Sequence, residues 1–142
     1  MYVNKQAGFS LLEVMVVLVI IGMIMSIVAP NIMGQQEEAA IDKAHLDIQQ
    51  LEDAMSLYKL KNKSYPSTEQ GLEALVTKTS IEPIPKRFPD GGFISKLPED
   101  PWGNNYQLIS PGEIGKFDIF SMGPDGEPAT EDDIGNWDED KQ

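Results

Sequence analysis

Cysteine is absent from the 142-residue chain, which excludes thiol redox chemistry, a disulfide framework and a thiolate zinc site. Histidine occurs once, at His45, too little for a histidine-based zinc site, so it is read as the edge of a packed helix face. Basic residues are scarce: 11 Lys and Arg face 23 Asp and Glu, the formal charge is −12, and no basic cluster interrupts the acidity. Affinity for nucleic-acid phosphates rests on such residues, so no nucleic-acid partner is expected, and a cation suits the chain better. No internal repeat is visible, and the length has room for one small head.

Charge is also nearly missing from one long stretch. Residues 9–29, FSLLEVMVVLVIIGMIMSIVA, hold a single charged side chain, Glu13. As a helix they extend about 31 Å, the thickness of a bilayer's hydrocarbon core. A secretory signal peptide has a shorter apolar stretch and a small-residue cleavage site after it, neither of which is present. Lys5 is the only charge before the stretch and the acidic bulk follows it. The positive-inside bias therefore places the N-terminus in the cytoplasm and the head in the periplasm or outside. A carboxylate in hydrocarbon costs roughly 2.5–3.5 kcal/mol on insertion scales, so Glu13 either snorkels to the headgroups or has a functional partner.

Pro30 ends the apolar run and, with Gly22 and Gly34 nearby, predicts a helix boundary, a kink or a local loosening. Over residues 31–62, Ile41, Ala44, Ile48, Leu51, Met55 and Tyr58 recur at steps of three or four and trace one face of an amphipathic helix. YPSTEQGLEALV, residues 65–76, predicts a turn and a short helix, with Ser67 as the cap and Gln70 completing a capping box. Residues 81–92 are rich in Pro and Gly and read as a surface loop of variable shape. A turn at 103–105 leads into a strand at 106–110, joined to a second at 116–121 through Pro111, Gly112 and Gly115. The expected fold class is α+β, with two or three short antiparallel strands laid on the stripe of the long helix.

Residues 122–137, MGPDGEPATEDDIGNW, crowd Asp125, Glu127, Glu131, Asp132 and Asp133 among glycines and prolines. Such carboxylates repel one another unless solvent or a cation intervenes, and a hard cation such as Ca²⁺ takes carboxylates and loop carbonyls together. The spacing is not that of an EF-hand, and a solvated acidic tail is the alternative. Asp125 and Asp132 could be offered as paired catalytic carboxylates. No nucleophile motif or apolar cleft is legible around them, so an enzyme is not expected.

Gly8, Phe9 and Glu13, in the order G-F-S-L-L-E, resemble the processing site of type IV prepilins and pseudopilins. YPSTEQGL at 65–72, DPWGNNY at 100–106, and S-x-G-x-D-G with a later acidic pair and Asn-Trp at 121–137 are similar to the major pseudopilins of type II secretion. The resemblance implies a type IV pilin-like fold and three segments: a cleaved leader at 1–8, a transmembrane and polymerisation helix at 9–29, and a periplasmic head at 30–142 that includes the helix's amphipathic half. It implies cleavage after Gly8 by a prepilin peptidase, N-methylation of Phe9, and pairing of Glu13 with a neighbouring subunit's terminal amine. It further implies calcium held by Asp125, Asp132 and Asp133 with the carbonyls of Met122, Pro124 and Ala129, and Trp137 packing the closed loop. Pro124 and Pro128 depart from the glycine or serine often found there.

The implied role is the subunit of a periplasmic fibre that grows from the inner membrane and helps export folded proteins. Its implied partners are further copies of itself, minor pseudopilins and the inner-membrane assembly platform. An adhesive or motility type IV pilin usually closes its C-terminal region with a disulfide, which this chain cannot form. A minor pseudopilin and a membrane-anchored calcium-binding receptor are the remaining alternatives; the receptor would need neither the cut after Gly8 nor Glu13.

Overall fold

Ser10 starts the long helix. Its Oγ accepts the Glu13 N–H at 3.1 Å and its carbonyl accepts the Val14 N–H at 3.2 Å, the arrangement of an N-cap with its glutamate three residues on. In the computed structural model, residues 9–137 are described, with the side chains of 27–33 outside the description. Helix α1 is Leu11–Asn62, so it does not end at Pro30. It stops where Lys63 turns into the left-handed region (φ 67°) and gives its N–H to the Lys59 carbonyl at 2.6 Å.

The chain divides into two compact units, Met1–Glu38 and Ala39–Gln142. In the first, the large apolar side chains from Phe9 through Leu18 to Met25 are exposed. Among the described residues no helix is long and apolar enough to cross a membrane. The described side chains of this run stop at Ser26, short of the run's end at Ala29.

In the second unit, Ala44, Ile48, Leu51, Met55 and Tyr58 of α1 are buried, as the spacing predicts. Fully burying a side chain such as Leu51 stabilises the fold by about 1.5–3 kcal/mol. Ile41, expected on this stripe, is exposed instead, and Ala44 is the first stripe residue to be covered. The stripe packs with Leu72, Leu75, Tyr106, Leu108, Phe117, Ile119 and Ile134 in one cluster. The Tyr106 hydroxyl donates to Asp47 Oδ2 at 2.9 Å. Burial, then the hydrogen bond and charge of Asp47, push that phenol far above its ordinary pKa.

The Ser67–Gln70 capping box is present in both directions: Ser67 Oγ accepts the Gln70 N–H at 3.2 Å and Gln70 Oε1 accepts the Ser67 N–H at 3.0 Å. It closes a turn and not a helix, because Gly71 follows at φ 63°, and the helix α2 spans only Glu73–Val76. The Gln70 side-chain amide also donates to the carbonyls of Ile81 and Pro83 at 2.7 and 3.0 Å. The segment expected to be a variable loop is therefore pinned to the head at its start. It is pinned again at its end, where the Phe93 N–H reaches the Leu75 carbonyl at 2.7 Å.

Strands β1 (Gln107–Ile109), β2 (Asp118–Ser121) and β3 (Ile134–Gly135) form an antiparallel sheet in the order β1-β2-β3. Leu108 is opposite Ile119 and Ser121 is opposite Ile134. The β1–β2 connection is held by Asp118, whose buried carboxylate accepts the N–H groups of Glu113, Ile114 and Gly115 at 2.6, 3.0 and 2.9 Å. The β2–β3 connection is the acidic loop.

Candidate functional site

Strand β2 delivers the acidic loop and β3 takes it back, so its two ends are paired at Ser121 and Ile134. Asp100 sets the start. Its Oδ1 accepts the N–H groups of Trp102 and Asn104 at 3.1 and 2.7 Å, fixing the D-P-W-G-N turn. Its Oδ2 accepts the Ser121 hydroxyl at 2.6 Å, and Ser121 Oγ accepts the Gly123 N–H at 3.1 Å. Asn136 sets the finish: it donates to the Phe117 carbonyl at 3.1 Å and to Glu52 of α1 at 3.0 Å, and its Oδ1 accepts the Ile119 N–H at 3.2 Å. Trp137 lies against Gly135, where a Cβ would stand 2.5 Å from the indole, and its ring centroid is 5.7 Å from that of Phe120.

Within the loop the aspartates act first as backbone caps. Asp132 Oδ2 accepts the Asp125 N–H at 3.2 Å, and Asp132 Oδ1 accepts the Thr130 hydroxyl at 2.6 Å. The Thr130 hydrogen bond is the main reason the Asp132 carboxyl titrates below the usual range, with burial opposing it. Asp125 Oδ1 accepts the Glu127 N–H at 2.8 Å, and Asp133 Oδ2 accepts the N–H of Ala129, itself left-handed at φ 66°, at 2.8 Å. Gly123 has φ 61°, and a Cβ there would strike the Asp132 carbonyl oxygen and stand 2.8 Å from its Oδ2.

The fold thus brings Asp125 to Asp132 and Ala129 to Asp133, with Met122 and Pro124 flanking the Gly123 turn. Among the described residues no group of three or more Asp, Glu or His side chains stands ready to hold a metal. One oxygen is unaccounted for: Asp133 Oδ1 is buried without a hydrogen-bond partner. Asp100 and Asn136 were not singled out by sequence reasoning. The Asp four residues before Asn104 carries an Asx-turn signal that could have found the first, but its long-range bond to Ser121 has no local signature.

At the other end of the chain, Gly8 lies outside the described residues. Phe9 is exposed, and the Glu13 side chain makes no ion pair among the described residues. With Val14, Val17 and Leu18 these two line an apolar hollow of about 310 Å³.

Residues 31–137 match the family model described as Type II secretion system (T2SS), protein G. The chain belongs to this family. Residues 3–29 match a second model, the prokaryotic N-terminal methylation motif, which includes Gly8, Phe9 and Glu13. The type II secretion system core protein G of Pectobacterium carotovorum subsp. carotovorum is 59% identical over 138 residues, covering 97% of this chain and 88% of the relative. That of Aeromonas hydrophila is 59% identical over 134 residues, covering 94% of each. The crystal structure of the major pseudopilin from the type 2 secretion system of enterohaemorrhagic Escherichia coli is similar at a TM-score of 0.72 and 50% identity, over 75% of this chain and 89% of that one. The chain is accordingly a major pseudopilin of a type II secretion system, a structural subunit and not an enzyme.

Proposed function

We propose that this pseudopilin is held in the inner membrane by residues 9–29, is cut after Gly8, and polymerises through α1 into a periplasmic fibre that helps move folded proteins out of the cell. The observation that carries the reading is the exposed apolar surface of α1 from Leu11 to Met25. So much contiguous apolar side chain is stable only in lipid or against other copies. The same helix serves both states, first in the bilayer and then in the fibre. Minor pseudopilins and the assembly platform of the inner membrane are the further partners of such a fibre.

Glu13 gives assembly its register. A carboxylate among Val14, Val17 and Leu18 is unfavourable alone and favourable once an opposite charge arrives. Cleavage after Gly8 creates that charge as the methylated amine of Phe9 on a neighbouring copy. Glu13→Ala should leave the head folded and the helix inserted while fibre yield falls sharply. Normal fibres from that variant, seen by electron microscopy of sheared material, would remove Glu13 from the assembly role.

Calcium belongs to the same reading. An all-oxygen donor set suits a hard cation, and the unpartnered buried Asp133 Oδ1 supports one. Asp125, Asp132 and Asp133 would hold it by their side chains, with the carbonyls of Met122, Pro124 and Ala129. When bound, the ion neutralises the crowded carboxylates and holds the β2–β3 connection closed.

A further inference from the structure

The fold gathers charges that the sequence keeps apart. Asn62, the last residue of α1, clasps the backbone of Arg87 twice: its Oδ1 accepts the Arg87 N–H at 2.9 Å and its Nδ2 donates to the Arg87 carbonyl at 3.0 Å. The backbone of Arg87 is thereby held at the end of α1, where Lys61 and Lys63 flank Asn62 in sequence, and the side chains of Lys61, Lys63, Lys86 and Arg87 are exposed. Lys61 lies in the last turn of α1 and complements the helix dipole. Lys86 and Arg87 are on a loop and have no such use, and among the described residues neither forms an ion pair.

The complementary charge lies in a groove of about 570 Å³ between the β1–β2 connection and the acidic loop. Trp137, packed over the buried Phe120, contributes aromatic surface, Ile114 an aliphatic wall, and Glu113 and Glu131 two exposed carboxylates without ion pairs among the described residues. A groove that joins aromatic rings to carboxylates disfavours anions and purely apolar groups. It suits a guanidinium, which stacks on rings and takes carboxylates in a planar fork. Arg87 is the only arginine in the chain.

We propose that Arg87 of one copy seats in this groove of the next copy, between Glu113 and Glu131 and against Trp137, as a contact between heads in the fibre. The proposal rests on the fibre reading above. Donor and acceptor are different patches of the same chain, so the contact is heterologous. A heterologous contact propagates into a helical array where its rotation does not close, as a fibre requires.

The test uses the full-length chain in cells that assemble the fibre. Because the chain has no cysteine, the double variant Arg87→Cys with Glu131→Cys, treated with a short bis-maleimide and detected with an antibody to this protein, joins copies of the chain only through the introduced thiols. It should give a ladder of multimers, while a Lys78→Cys with Glu131→Cys control gives none beyond dimers. Arg87→Glu should lower fibre yield roughly tenfold, the effect of putting like charges in a contact, and adding Glu131→Arg should restore most of it. Fibres from the unsubstituted protein with no ladder, together with normal assembly of Arg87→Glu, would overturn this contact and leave the fibre reading intact. An unsubstituted protein that forms no fibres would overturn both.

Discussion

The buried carboxylate of Asp100 and the hydroxyl of Ser121 meet at 2.6 Å, joining a turn before the sheet to the strand that opens the acidic loop. Ser121→Ala removes the donor and leaves a buried carboxylate oxygen unsatisfied, which should cost about 1–3 kcal/mol. It also frees the Gly123 N–H, so the loop should become sensitive to protease before the rest of the head. Urea unfolding and limited proteolysis of the two proteins side by side check both effects.

Gly123 and Ala129 both occupy left-handed backbone, at φ 61° and 66°, and predict opposite outcomes. Gly123→Ala adds a Cβ against the Asp132 carbonyl oxygen and should destabilise the head by about 1–2 kcal/mol or more. Ala129→Gly relieves the unfavourable conformation and should stabilise by up to about 1 kcal/mol, part of the gain being offset by glycine's greater freedom when unfolded. Thermal unfolding should order the three proteins with Ala129→Gly highest and Gly123→Ala lowest.

Calcium removal should act on the same loop. Chelation should lower the unfolding temperature of the unsubstituted protein and expose residues 122–133 to protease. Asp132→Ala, which also loses the caps to Asp125 and Thr130, should show little further response to chelator. Titration calorimetry that finds no calcium binding to the unsubstituted protein would end the calcium assignment.

Much of this molecule is legible in its sequence where the signal is periodic or local. The 44-48-51-55-58 spacing marks the buried face of α1, and Ser67 with Gln70 marks a real capping box. Propensity extends that box into a helix, because it does not register the positive φ that the turn gives Gly71. Ile41 continues the stripe by spacing, yet burial depends on what lies opposite. Strand β3 has only two residues, too short for an alternation pattern, and exists because Ser121 pairs with Ile134. The acidic loop was visible as composition, whereas Asp100 and Asn136, which fix its two ends, act over distances in sequence that no local pattern reports.

The proposed cleavage after Gly8, methylation of Phe9 and polymerisation through α1 can be tested together. The most direct test is the intact mass of the subunit recovered from assembled fibres in its native membrane. The expected mass lacks residues 1–8 and carries one added methyl group, on Phe9. A subunit of full, unmethylated mass would contradict it and would make Gly8, Phe9 and Glu13 features of an ordinary membrane anchor.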